Sequence, residues 1–337
     1  MTNQLHTMQK LLPDLMPTIE RRYHILKYIN RMQPVGRRSL AQSLGLTERV
    51  LRSEVDLLKK QGLIEVTTSG MLITSSGTEV IRDLNLMMEE VSGIDRLKQK
   101  IRERWKIQDV IIVPGNSDES PWIKNELGRT CANCMNDHLL GKNIIAVTGG
   151  TTMAKVAEMI TPEFTDKDIL FVPARGGIGE DIQNQANTIC SMMAQKAEAK
   201  YKVLYVPDQL SPDVYEKMVN EPQVSEVLSL IQRANIVLHG IGDAVTMAKR
   251  RKTPEEDFNK ILNGKAVGEA FGYYFNEHGE VVHKVQTIGI QLEDLENIPN
   301  VIAVAGGASK AKAIRAYMNQ APSSTILITD EACAYEL

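Results

Sequence analysis

Three glycine-rich junctions in this 337-residue chain carry the residue types that hold an anion. In Asn143-Ile-Ile-Ala-Val-Thr-Gly-Gly-Thr-Thr152 a buried-strand pattern runs into a glycine turn and opens a helix. Backbone N–H groups and two threonine hydroxyls then face whatever sits above the helix start, and the helix dipole favours negative charge there. Phe171-Val-Pro-Ala-Arg-Gly-Gly-Ile-Gly179 ends a second strand with Arg175, whose guanidinium can grip a phosphate through two parallel bonds. Val304-Ala-Gly-Gly-Ala-Ser-Lys310 leads into a helix over Ala311–Met318 and adds Lys310 as a point charge. Neither the G-x-x-x-x-G-K-[ST] loop nor the G-x-G-x-x-G fingerprint is present, which argues against ATP and dinucleotides.

Each junction alone is weak, because Gly-Gly after a strand often only lets a helix pack closely. Arg250 likewise sits in the charge run Lys249-Arg-Arg-Lys252, which reads equally as a solvated surface. Together they gain weight, since ligands of open α/β sheets gather at the carboxyl ends of strands. Gln185 and Glu269 suit sugar hydroxyls, and Arg250 offers a second guanidinium. Three cations and two amide cradles exceed the needs of one phosphate and point to a ligand carrying two.

The elements that must position these residues read as β-α alternation from Asp109 onward. Strands are predicted at Asp109–Val113, Asn143–Val147, Ile169–Val172, Lys202–Val206, Asn235–Leu238, Val301–Ala305 and Thr325–Thr329. Helical patterns separate most of them, so a largely parallel sheet covered on both faces is expected. Tyr273-Tyr-Phe275 and Val281–Ile290, joined by a turn, look like an antiparallel insertion.

Ahead of this body lies a different pattern. Helical spacing runs from Pro13 to Ile29, a short helix from Arg38 to Leu44, and Gly45 turns into a second helix, Glu48 to Gln61, capped by Thr47. Leu63–Val66 and Met71–Thr74 read as a small β-wing, which completes a winged helix-turn-helix. On the second helix Leu51, Val55 and Leu58 share the inner face, leaving Arg49, Ser53 and Asp56 outward with Arg52 beside them. An arginine pair near the start of such a helix suits guanine edges in the major groove, and Arg37 and Arg38 suit phosphates. Lys59 and Lys60 at its far end suit phosphates too, or simply complement the helix dipole.

Charge follows the same division, with 11 Lys/Arg against 6 Asp/Glu in residues 1–75 and 28 against 36 beyond, for a net −3. A basic head on an acidic body fits a nucleic-acid module fused to a soluble domain, against the bland alternative of a winged helix used for protein contacts. Between them, residues 77–104 are charged and helical, with Leu84, Met87 or Met88, Val91, Ile94, Leu97 and Ile101 three or four apart. That stripe serves either self-association or a groove on the chain's own body, and Gly93 weakens it. The expected division is a DNA-binding domain over 1–76, a helical linker over 77–104 and an effector domain over 105–337.

No apolar region follows the polar Met1–Lys10, and no run of about 18 apolar residues occurs, so a cytoplasmic protein without a membrane span is expected. Four cysteines agree with a reduced compartment, and Cys131-Ala-Asn-Cys134 lies inside a helical pattern without a second pair. Two competing functions remain. A phosphosugar isomerase or deaminase with a regulatory head needs an acid and a base, for which Glu269, Asp181 and His239 are available without a legible constellation. Redox sensing would work through Cys131 and Cys134.

Several stretches carry a family resemblance along the whole length. They are Gly36-Arg-Arg-Ser-Leu40, Ser117-Asp-Glu-Ser-Pro-Trp122 in part, Val147-Thr-Gly-Gly-Thr-Thr152 and Leu170-Phe-Val-Pro-Ala-Arg-Gly-Gly. Asn184-Gln-Ala-Asn-Thr-Ile-Cys190, Leu238-His-Gly-Ile-Gly242, Glu269-Ala-Phe-Gly-Tyr-Tyr-Phe275 and Ile302-Ala-Val-Ala-Gly-Gly307 continue it. The chain resembles the SorC-type sugar-responsive transcriptional repressors. The resemblance, nearest to their glycolytic branch, implies a Rossmann-like effector domain similar to phosphosugar isomerases and deaminases. It implies a non-enzymatic repressor of glycolytic genes that binds double-stranded operator DNA as a homodimer or homotetramer. Its effector would be fructose 1,6-bisphosphate, with no cofactor or metal. Carried onto this chain, the effector contacts are Gly149, Gly150, Thr151, Thr152, Arg175, Gln185, Arg250, Glu269 and Lys310. The recognition helix differs enough from the family pattern to leave the operator open, with Arg37, Arg38, Arg49, Arg52 and Ser53 as its readers.

Overall fold

The computed structural model describes residues 11, 12, 14–162, 167–177, 181–207 and 209–337, with side chains throughout except at 16 and 85–92. Pro13 at the first helix start, the side chains of Met87, Met88 and Val91 in the linker stripe, and Ile178 and Gly179 of the second junction lie outside it. The chain divides into two units, residues 1–97 with 120–122 and the remainder.

The first unit begins with α1 (Leu15–Met32), α2 (Arg37–Ser43) and α3 (Glu48–Lys60), followed by β1 (Ile64–Val66), β2 (Met71–Ile73) and α4 (Ser75–Ser92). Thr47 caps α3 by accepting the Val50 N–H at 3.3 Å. Leu51, Val55 and Leu58, one turn apart, are buried with Tyr23, Leu26 and Ile29 of α1 and Leu40 of α2. The wing strands pair antiparallel, Ile64 opposite Ile73 and Val66 opposite Met71. The predicted linker helix is two helices, since Gly93 takes φ 67° and starts α5 (Ile94–Trp105). Ile94 and Ile101 are buried within the single chain, so that part of the stripe already has its apolar partners.

The second unit alternates as expected: β3 (Asp109–Val113), α6 (Pro121–Asp137), β4 (Lys142–Val147), α7 (Thr151–Met159), β5 (Asp168–Pro173), α8 (Ala186–Lys196), β6 (Lys200–Tyr201), α9 (Pro212–Val219), α10 (Pro222–Gln232) and β7 (Ile236–Gly240). A second group follows: β8 (Gly242–Asp243), α11 (Ala244–Arg250), α12 (Glu255–Asn263), β9 (Ala266–Ala270), β10 (Tyr273–Asn276) and β11 (Val281–Lys284). The last elements are β12 (Asn300–Val304), α13 (Ala311–Met318), β13 (Thr325–Asp330) and α14 (Glu331–Glu336). Seven strands in the order β3-β13-β12-β7-β4-β5-β6 form one sheet, parallel throughout, and β11-β10-β9-β8 form an antiparallel one. Helices on both faces explain why Ile145–Val147 and Val301–Val304 are wholly buried apolar runs.

The chain leaves β4 toward β5 on one side and leaves β7 toward β12 on the other. Neighbouring strands whose exits diverge open a crevice at their carboxyl ends. Gly149 and Gly240 flank it.

Two strand expectations change. Residues 202–206 are not a strand, because Asn187 brackets Leu204, accepting its N–H at 2.9 Å and donating to its carbonyl at 3.1 Å. Val281–Ile290 stops as a strand at Lys284 and crosses to the end of β5, where Gly176 donates to Ile288 O (3.1 Å) and Ile290 to Ala174 O (2.8 Å). That crossing clamps the backbone of Arg175. It requires glycine at Gly289, which has φ 142°; a Cβ there would collide with Ala174 O and come within 2.6 Å of Arg175 Cα. We therefore expect Gly289→Ala to destabilise the protein by about 1–3 kcal/mol. A lowered urea midpoint at unchanged m-value would report it.

Candidate functional site

In the head, α3 presents Arg49, Arg52, Ser53 and Asp56 to solvent, while Glu54 turns inward. Glu54 holds α3 against α1, accepting from Arg21 Nε at 2.9 Å and Arg22 Nε at 2.7 Å. Sequence reading missed this clamp, and its one signal is an acidic residue on the apolar face of the wheel. Arg37 and Arg38 are exposed at the start of α2, with loose carboxylate neighbours: Asp56 at 4.0 Å and Glu48 at 3.8 Å. Such exposed pairs are worth little and yield readily to a phosphate.

In the body, the crevice between β4 and β7 holds two adjoining lobes that share part of their lining. One is lined by Arg175, Gln185, Asn184, Arg251 and Phe271, the other by Thr151, Thr152, Thr246, Ser309 and Lys310. Gly149, Gly150, Arg250 and Glu269 border both. All nine expected contact residues thus meet in one place, contributed by the ends of β4, β5 and β12, by α11 and by β9.

The two amide cradles differ. At the first, Gly150 takes φ 118° and gives its N–H to Asn184 O at 2.8 Å, so it shapes the turn rather than facing a ligand. The helix bond ladder begins with Ala154 donating to Gly150 O, which leaves the N–H groups of Thr151, Thr152 and Met153 at the open helix end. At the second junction the amides are already filled by the chain's own carboxylates. Gly307 N–H donates to Asp330 Oδ2 (2.7 Å) and Ser309 N–H to Asp118 Oδ2 (2.9 Å). Of the two predicted cradles the first is the more open, and the second lines the cleft with Ser309 and Lys310.

Glu269 is buried and heavily engaged. Its Oε1 accepts from Arg251 Nη2 at 2.9 Å and from the Gly272 N–H at 2.6 Å, with Arg175 Nη1 at 3.6 Å. Arg251 also donates to the Tyr274 hydroxyl at 3.0 Å. In the Arg250-Arg251 pair, sequence reading chose the cleft-facing member and missed the buried one. Adjacent helical positions point about 100° apart, so the two reach the cleft differently: Arg250 borders both lobes, while Arg251 lines one from a nearly buried position.

Of the residues of the competing readings, Glu269 and Asp181 line the cleft, while His239 and the two cysteines do not. His239 is fully buried, its ring 4.5 Å from Phe271 and 4.9 Å from Tyr317, and burial pushes it down to about 4. A neutral, enclosed imidazole does not reach a substrate. Cys131 and Cys134 are buried on α6, and burial raises both thiols, Cys134 to about 12. Thiols held protonated are poor redox nucleophiles.

Burial lowers the Lys310 ammonium below the ordinary lysine range, and Lys124 and Arg250 add to the shift while Asp118 opposes it. A bound phosphate supplies the missing counter-charge and favours the protonated amine. Anion affinity should therefore fall as pH rises through this depressed value, earlier than for a free lysine. Lys310→Arg, which stays charged, should flatten that dependence; calorimetric titration from about pH 7 to 10 measures it.

Known proteins match both units. A family profile described as the CggR N-terminal DNA binding domain covers residues 18–88, and one described as a sugar-binding domain covers residues 89–337. The chain is 57% identical to the central glycolytic genes regulator of Priestia megaterium, spanning 100% of this chain and 98% of that one. It is 52% identical to the Bacillus subtilis protein of the same name, over 100% and 99%. Among solved structures, a transcriptional regulator from Enterococcus faecalis assigned to the SorC family superposes with TM-score 0.67 at 48% identity, over 72% of this chain and 98% of that one. With a DNA-binding head and a sugar-binding body, this chain belongs to the central glycolytic genes regulator family of transcription regulators.

Proposed function

We propose that the chain represses a glycolytic operon by binding double-stranded operator DNA through α3, and that fructose 1,6-bisphosphate in the cleft controls this binding. The observation that carries the effector reading is the two-lobed cleft. It has a cation at each end, Arg175 and Lys310, and Arg250, Glu269 and Gln185 between or beside them. A polyol with a phosphate at each end matches that order of charges. One phosphate would sit on the open helix end of α7 near Lys310, the other near Arg175.

Control follows from linkage. The effector binds one arrangement of the subunits of a homodimer or homotetramer more tightly, and that arrangement holds DNA less cooperatively. A coupling of about 1–3 kcal/mol suffices for a several-fold to hundred-fold change. The protein binds ligand without turning it over; the enclosure of His239 and the engagement of Glu269 support this.

The decisive experiment is fluorescence anisotropy of labelled DNA from upstream of the host glycolytic operon, with and without fructose 1,6-bisphosphate. Tight binding that the sugar loosens or makes less cooperative is expected. Tight binding indifferent to it would remove this effector and leave other phosphosugars, and absence of sequence-specific binding would remove the repressor reading. In the same assay Thr152→Val and Arg175→Ala should each lose the effector response and keep DNA affinity. Unchanged response in both would place the effector elsewhere.

The head makes a separate prediction. Arg52→Ala should relax sequence choice by about 1–3 kcal/mol at one base pair, whereas Arg37→Ala should weaken all sequences alike and reduce the salt slope by about one. Equal behaviour of the two variants against an operator mutation panel would undo the assignment.

A further inference from the structure

Glu269 poses a problem, since a carboxylate inside an anion cleft repels the ligand unless something neutralises and aims it. Arg251 does both. Its side chain is only 2% exposed, and its fork is divided between Glu269 Oε1 and the Tyr274 hydroxyl. The tight turn after β9, with Phe271 at φ 54° and Gly272 at φ 86°, brings the Gly272 N–H onto the same Oε1. With Oε1 so occupied, Oε2 is the oxygen left toward the cleft. It lies over Gly242, 3.6 Å from where a Cβ on that residue would stand. An ionised oxygen there accepts from a hydroxyl and rejects a phosphate oxygen.

We propose that Arg251 is a positioning residue that fixes Glu269 as a hydroxyl acceptor, and so makes the cleft select polyhydroxylated bisphosphates over bisphosphates that lack hydroxyls. This rests on the reading of the cleft as a sugar-phosphate site. Arg250 and Arg251 thereby divide two tasks between neighbouring residues: Arg250 faces the ligand's charge, and Arg251 stands behind the group that reads its hydroxyls. Lysine at 251 keeps a charge but, with one ammonium, does not span Glu269 and Tyr274 in the planar geometry of the fork.

The test compares the full chain's affinities, by calorimetry, for fructose 1,6-bisphosphate and for hexane-1,6-diol bisphosphate, which spans six carbons without hydroxyls. Wild type should favour the sugar. Arg251→Met should weaken both ligands through the lost charge, and the sugar about 10- to 100-fold more than the diol ester, the value of a hydrogen bond to a charged group. Arg251→Lys and Tyr274→Phe, milder changes that guard against misfolding, should lose part of the preference in the same direction. The double variant Arg251→Met/Glu269→Gln should discriminate no worse than Glu269→Gln alone, because the two act on one contact. Equal loss of both ligands, or losses that multiply in the double variant, would make Arg251 merely structural and overturn the proposal. A sugar preference that survives Arg251→Met overturns it while sparing the cleft reading. A wild-type chain that binds both esters equally overturns the proposal while sparing the cleft reading, and one that binds neither overturns the two together.

Discussion

The body of this protein is organised around one buried carboxylate, Glu269, held between two guanidiniums at the mouth of a parallel sheet. Removing an ion from water costs several kcal/mol, which mutual attraction returns only when the geometry is good and the remaining lone pairs are bonded. Arg251, the Gly272 amide and Arg175 supply that geometry from three separate elements. Each must be held in place, and much of the surrounding fold does this. Tyr274 on β10 fixes the other half of the Arg251 fork, and the crossing segment from Gly289 fixes the backbone of Arg175. The antiparallel sheet is thus the part of the fold that turns an anion crevice into one with a polar, hydroxyl-reading wall.

The crevice itself follows from topology. Diverging exits from β4 and β7 leave a gap, and the first turn of α7 opens into it with N–H groups left over by helix geometry. The glycine-rich junction after β12 takes a different role. Its Gly307 and Ser309 amides are taken by Asp330 and Asp118, so it braces the wall and lines the cleft with Ser309 and Lys310. Two junctions of similar composition therefore do different work, decided by carboxylates far away in sequence.

That difference marks the limit of what the residues say by themselves. Periodicity located the sheet strands, the winged helix and the inward face of α3, because each is a local pattern repeated over several residues. Gly149–Thr152, Arg175 and Lys310 stood out because strand ends, glycines and cations or hydroxyls coincide in short stretches, whereas the full set with Gln185, Arg250 and Glu269 came from the family resemblance. What stayed hidden depends on partners brought together by folding: Arg251 behind Glu269, Glu54 between Arg21 and Arg22, and Asp118 on Ser309. The irregular path of residues 202–206 was hidden for the same reason, since its apolar pattern suits a strand and a single side chain, Asn187, overrides it.

On the proposed reading, charge arrangement bears on how one chain would serve two phosphate ligands without confusing them. A DNA backbone offers singly charged phosphodiesters and a sugar phosphate a more highly charged monoester, and cations gathered in a cleft would attract either. In the body those cations are offset from within: Glu269 faces Arg175 and Arg251, Asp118 lies near Lys310, and residues beyond 75 carry 28 Lys/Arg against 36 Asp/Glu. Beyond a Debye length of about 8 Å at physiological salt, such a surface has little pull on a polyanion. A small bisphosphate feels the local field instead, once it enters and replaces water at the helix end and the guanidiniums. The head inverts this design. Its cations stand exposed on α2 and α3 with loose partners at 3.8–4.0 Å, which suits a ligand too large to enter any cleft. Separate exposure of the two cation sets, rather than their number, is what keeps operator and metabolite from competing for one surface.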